Sequence, residues 1–179
     1  MPVRVLLLSM VLGSLAQPAV AQSKAAAPQP GPEHKRLQFF VGEWRVEDTE
    51  KTSPLGPGGK TTGTVTCEWF DGKFQVLCRS SLNRFDGLYK ELEILSYNAS
   101  DGEYTRYFIG SHGHSALSKA KFTGKTWEWS GTFKADGKSM RMDAHLTDAS
   151  TDSITTKSVL TVDEGAPMTV SEGKMTRVK

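Results

Sequence analysis

The sequence predicts an all-β fold: an antiparallel up-and-down barrel of eight to ten strands, preceded by a short helix. Three observations carry this. Apolar and polar residues alternate in runs of five to ten, the period of a half-buried strand. Turn clusters rich in Gly, Asp and Asn separate the runs at short spacing. No long helical pattern lies between them, so the crossovers of a parallel sheet are missing. With this many strands, closing the sheet removes the exposed edges that an open one would carry.

The elements follow in chain order. Met1–Ala21 has the parts of a secretory signal peptide in sequence: Arg4, the apolar run Val5–Leu15, and the small-x-small site Ala19-Val20-Ala21. The apolar run is too short to span a bilayer. The expectation is a mature chain that starts at Gln22, is periplasmic or secreted, and does not insert in a membrane. Residues 22–31, rich in Ala, Pro and Gln, read as a flexible tether, and residues 32–179 as a single barrel domain. Pro32–Phe40 suits a short helix, with Pro32 at its first position and Glu33 at the positive end of its dipole. Leu37, Phe40 and Val41 share one face, and Gly42 ends it.

Gly42–Val46 alternates, with Trp44 and Val46 together, and Ser53–Gly63 reads as a Gly/Pro loop. Val65, Cys67 and Trp69 then share a face, as do Phe74, Val76 and Cys78. Tyr89–Tyr97 follows. In the next strand Tyr104, Arg106 and Phe108 alternate with Thr105, Tyr107 and Ile109, which predicts apolar residues on both sides. Ser115–Phe122 pairs with Trp127–Phe133 through a Gly turn. Met140, Met142, Ala144 and Leu146 oppose Arg141, Asp143, His145 and Thr147. Ser153–Val162 and Met168–Lys179 complete the series.

Cys67 and Cys78 flank the turn Asp71-Gly72-Lys73. A two-residue loop at Gly72-Lys73, or a four-residue loop from Asp71 to Phe74, sets the two cysteines opposite each other. Facing strand residues have Cα atoms about 4.5–5.5 Å apart, within disulfide range. Export makes oxidation feasible. A slip of one residue would put the thiols on opposite faces.

The formal charge is +2, from 22 Lys+Arg and 20 Asp+Glu. It falls to about +1 once Arg4 is removed, far from the basic excess that nucleic-acid or membrane-surface binding needs. The loop Gly56–Thr61 imitates a phosphate loop, but Pro54 stands where the first Gly belongs and strand-forming residues follow. His112 and His114, two apart, can present both imidazoles to one metal ion, although no third ligand is evident nearby. His145 is a possible axial haem ligand, yet it alternates with Arg141 and Asp143 on the polar side of its strand. Glu91 and Glu93 face the same way at about 7 Å, loosely the spacing of an inverting glycosidase pair; such a pair ordinarily marks a solvated face. Gly-x-Ser-x-Gly and His-Glu-x-x-His do not occur.

Several stretches in a fixed order are similar to a known group. They are Leu37–Trp44, Trp69–Phe74, Glu93–Asn98, Tyr104–Phe108, Gly124–Trp127 and Met175–Arg177. On these the chain, from Leu37 to Lys179, resembles the bacterial exported lipocalin-like family known as domain of unknown function 1579. The resemblance implies a calycin-type barrel with no established reaction and no agreed catalytic residues. Ser96 stands where relatives commonly carry Gly. The Leu37–Trp44 opening also resembles nitrobindin, a haem-binding barrel with a proximal His late in the chain; the last His here is His145, on the wrong face.

The functional expectation is non-enzymatic binding of a small apolar or amphipathic molecule inside the barrel, without a cofactor. Trp44, Trp69, Trp127, Trp129, Phe108 and Met142 would form the walls. The competing readings are a hydrolase or isomerase using His112 or His114, and a filled barrel acting through its outer surface.

Overall fold

The structure is a computed structural model that describes residues 27–147 and 150–179. The signal-peptide segment and residues 22–26 of the tether lie outside the described residues. A short helix, α1 (Pro32–Arg36), continues as a single 3-10 turn over Leu37–Phe39. Ten strands follow: β1 (Gly42–Glu50), β2 (Gly59–Trp69), β3 (Gln75–Arg84), β4 (Gly87–Asn98), β5 (Glu103–Gly110), β6 (Ser115–Thr123), β7 (Thr126–Ala135), β8 (Lys138–Thr147), β9 (Ser153–Val162) and β10 (Met168–Arg177).

Each strand pairs antiparallel with the next, and β1 pairs with β10, so the sheet closes into a barrel. The strand periods survive in the structure, but several elements are longer than their alternation suggested. The expected loop from Ser53 to Gly63 is half strand, because β2 already starts at Gly59 and pairs with Glu50. The run Thr61-Thr62-Gly63-Thr64 has β-branched residues that tolerate the extended backbone. Gly63 is needed there because a Cβ would strike the Ser81 carbonyl oxygen across the β2–β3 ladder. In β10 the register shifts between Thr169 and Ser171. Val170 is the extra residue of this bulge, buried with Met140 and Leu160 at one end of the barrel.

The two ends differ. The helix covers the end formed by the start of β1 and the β2–β3, β4–β5 and β6–β7 connections. Leu37 and Phe40 are buried there against Val76, Leu95, Tyr104 and Trp127. His34 sits edge-on to Phe74 and Tyr97, and its Nδ1 accepts from the Gly31 N–H. Tyr104 Oη donates to the Glu33 carbonyl at 3.2 Å. The opposite end is ringed by the β1–β2, β3–β4 and β5–β6 connections and opens to solvent. On the outer wall, Tyr107 and Ile109 of β5 and Leu117 of β6 are exposed, so β5 is apolar on both sides as its sequence predicts.

Cys67 and Cys78 face each other in the β2–β3 ladder and form a disulfide, with Cα atoms 4.0 Å apart. The Phe70 N–H donates to the Gln75 carbonyl, which closes the loop from Asp71 to Phe74. This is the longer of the two loops compatible with that register.

Candidate functional site

Side-chain size decides where the barrel is filled and where it is hollow. At the covered end the inward positions hold Trp44, Trp127, Leu95, Tyr104 and Phe122, and the space is packed. Halfway up, neighbouring strands contribute Ser118 opposite Gly131, and then Ala144, Ser158 and Ser171 in successive register. Small side chains cannot reach the axis of a ten-stranded barrel, so a cavity remains. Its volume is about 650 Å³, and it opens between the mouth loops. A deeper cavity of about 230 Å³ lies below it. Asp48, Leu82, Glu91, Arg106, Trp129, Ala144 and Ser158 line both, and so form the neck between them.

The lining combines apolar and charged side chains. Phe108, Trp129, Phe133 and Met142 supply the apolar wall of the upper cavity. A polar chain runs across β1, β3, β4 and β5, and meets the apolar wall where Arg106 lies over the Phe108 ring at 5.2 Å. Arg106 Nη2 donates to Glu91 at 3.2 Å and also to Glu93. Tyr89 Oη donates to Glu91 at 2.9 Å. Arg84 donates to Glu50 at 3.1 Å, and Glu50 also accepts from the Thr61 hydroxyl at 2.6 Å. Asp48 accepts from the Thr156 hydroxyl at 2.7 Å and forms no ion pair among the described residues.

Glycines make room for these groups. A Cβ on Gly173 would collide with the Asp48 carboxylate, and one on Gly110 with the Tyr89 hydroxyl.

Burial sets the protonation of this chain. It pushes the Glu91 carboxyl up to about 8, aided by the hydrogen bond with Glu93 and the Glu93 charge, and opposed by Arg106 and Tyr89. Burial also works against ionisation of Glu93, but the Arg106 charge and the hydrogen bonds from Glu91 and Arg106 outweigh it and hold Glu93 low. One proton is therefore shared by a carboxyl pair that a single guanidinium bridges. Burial raises Asp48 as well, against the Thr156 hydrogen bond and with help from the Glu50 charge. The Tyr89 phenol is raised by burial and by Glu91, so it stays a donor.

The sequence-predicted wall residues divide in two. Trp129, Phe108 and Met142 line the upper cavity, and Trp44 the lower one. Trp69 and Trp127 line neither. The Trp69 indole donates to Gln38 at 2.7 Å beside the helix. Trp127 is 1% exposed and stacks on Trp129 at 5.8 Å, with Phe40, Tyr104 and Phe122 around it. His112 and His114 sit at the mouth, where His112 Nδ1 lies 3.4 Å from Asp86 and its ring meets Tyr89 edge-on. Among the described residues no group of three or more His, Cys, Asp or Glu side chains is placed to hold a metal ion. His145 pairs with Glu128 and Lys157 on the outer face of β8, where alternation put it, away from an axial position in the interior.

The expectation that Glu91 and Glu93 lie on a solvated face is overturned. Both point into the barrel, with side chains 13% and 15% exposed. Arg106, unassigned from sequence, is their partner.

A closed antiparallel barrel with an internal cavity is the architecture of the calycin-like proteins. Residues 29–177 match the family described as Protein of unknown function (DUF1579), and the chain belongs to that family. Among solved structures the fold is similar to that of Rv2717c from M. tuberculosis. The TM-score is 0.61 at 13% identity, over 83% of this chain and 99% of that one. It is also similar to the S-type phycobiliprotein lyase CPES from Guillardia theta, with TM-score 0.55, 10% identity, and 82% and 93% of the two chains covered. No curated protein matches the sequence.

Proposed function

We propose that this protein binds a small amphipathic organic molecule inside its barrel. The observation that supports the reading best is the cavity of about 650 Å³, open at one end and lined by both aromatic and charged side chains. That volume falls within the range of small-molecule sites, roughly 300–1,000 Å³, and mixed lining suits a ligand with one apolar and one polar end. Apolar contact with Phe108, Trp129, Phe133 and Met142 would contribute about 25 cal/mol per Å² of ligand surface removed from water. The polar chain from Arg84 to Glu93 would fix orientation.

Export belongs to the same reading. The disulfide Cys67–Cys78 suits an oxidising compartment, and among the described residues no helix is long and apolar enough to cross a membrane. With the leader-like Met1–Ala21, these support a periplasmic or secreted protein.

The test is titration with Nile red, a neutral dye whose emission rises in apolar surroundings. Wild-type protein is expected to saturate with one dye per chain, and Ala144→Phe, which fills the neck, to weaken binding at least tenfold. Absence of saturable binding to the wild type contradicts the reading.

A further inference from the structure

We propose that the cavity selects cations: its ligand is an amphipathic amine whose ammonium group sits in the neck, beside Asp48, Glu91 and the Trp129 indole. This rests on the ligand-binding reading above and names the class of ligand.

Inward strand positions around the two cavities carry four carboxyl groups, Asp48, Glu50, Glu91 and Glu93, against two guanidinium groups, Arg84 and Arg106. Both guanidinium groups lie beside carboxylates, although the buried Arg84 Nε has no hydrogen-bond partner among the described residues. Arg106 bridges Glu91 and Glu93, and Arg84 lies between Glu50 at 3.1 Å and Asp86 at 3.7 Å. Arg84 also stacks over the Tyr89 and Phe85 rings, at 5.0 and 5.4 Å. An anionic ligand would have to displace a carboxylate from Arg106, and beside Arg84 it would meet the Glu50 and Asp86 carboxylates. A cationic ligand finds the reverse.

Among the described residues Asp48 has one hydroxyl donor and no cation, while Glu91 shares Arg106 with Glu93. Both line the neck. A carboxylate taken out of water without a counter-charge is costly, and an incoming ammonium removes that cost.

Two further features fit. Trp129 lines the same neck, and an indole face attracts a cation. The deeper cavity offers Phe40, Trp44, Val46, Leu95 and Met175 to whatever part of the ligand passes the neck. At the rim, Lys51 is held by Glu172 at 2.8 Å, and the preceding residue, Glu50, lines the cavity.

A matched set of probes tests this: 4-phenylbutylamine, 4-phenylbutanol and 4-phenylbutanoate, titrated calorimetrically at pH 8 into the full chain. The amine is expected to bind at least about tenfold tighter than the alcohol, and the alcohol tighter than the carboxylate. Asp48→Asn and Glu91→Gln, made singly and together, are expected to shrink the amine–alcohol gap, to below about threefold in the double variant. The single variants keep the test open if the double variant does not fold. Equal binding of amine and alcohol by the wild type overturns the cation proposal and leaves the ligand-binding reading standing. Tightest binding of the carboxylate also overturns it and makes Arg84 or Arg106 the anchor. A wild type that binds neither these probes nor Nile red overturns both.

Discussion

The Arg177 guanidinium carbon lies 4.1 Å from the centroid of the Trp44 ring, at the point where β10 closes against β1. The same guanidinium donates to the carbonyls of Val41, at 2.6 Å, and Phe39, at 2.9 Å. Trp44 Nε1 donates to the Phe40 carbonyl at 2.8 Å. One cation and one indole thus tie together the last strand, the first strand and the turn that leaves the helix. Gly42 leaves room for this, since a Cβ there would meet the Arg177 side chain.

Arg177→Met is expected to destabilise the fold by about 3 kcal/mol, since it removes charged hydrogen bonds to two half-buried carbonyls and a cation–π contact. Urea denaturation followed by tryptophan fluorescence measures this. A loss under about 0.5 kcal/mol would mean that the helix end is held by Leu37 and Phe40 alone.

The Cys67–Cys78 bridge spans 11 positions of sequence and is buried in the β2–β3 ladder. Its reduction is expected to lower stability by about 2–3 kcal/mol, the scale for short loops. Thiol labelling under denaturing, non-reducing conditions should find no free cysteine, and two labelled thiols would refute the bridge.

Protonation of Glu91 predicts a pH effect with a definite sign. The groups facing it are Tyr89 and Glu93 on β4, Arg106 on β5, Ser80 and Arg84 on β3, and Asp48 across the neck. The folded chain holds the Glu91 proton up to about pH 8, whereas the unfolded chain releases it near the ordinary glutamate value. Stability therefore falls as pH rises between about 4.5 and 8. The expected loss is on the order of a few kcal/mol, and Glu91→Gln should flatten it. Urea midpoints at pH 5 and pH 9 check this; a wild type that is more stable at pH 9 would reverse the sign.

The same proton bears on ligand binding. A cation favours the ionised carboxyl, so its binding must expel the proton below about pH 8. Affinity for 4-phenylbutylamine should rise with pH up to about 8 and then level off, and affinity for 4-phenylbutanol should change less. Calorimetry in buffers of different ionisation enthalpy would detect the released proton. Affinity that falls across this range would contradict the assignment.

Period-two alternation made most of the architecture legible, because it assigns a face to every residue of a strand. It placed Trp129, Phe108 and Met142 inside, His145 outside, and Cys67 opposite Cys78. It does not assign height along the barrel. Trp69 and Trp127 therefore read as cavity walls, although they belong to the end that the helix covers.

The charged neck was hidden for a different reason. Alternating Glu91, Glu93 and Arg106 look like a solvated strand face, and only the β4–β5 register brings them together. A barrel too wide for side chains to fill keeps charges inside if they pair with one another. The available sequence signal was Glu91-x-Glu93 on the same parity as Tyr89 and Leu95, which are buried.

The most direct measurement is native mass spectrometry of the wild-type protein and of Ala144→Phe, each purified from the organism that makes it. The wild type should carry a mass excess from one small organic molecule that is lost on denaturation, and Ala144→Phe should fly at its bare polypeptide mass. Bare wild-type protein that also takes up no added Nile red or 4-phenylbutylamine would contradict a ligand-binding barrel.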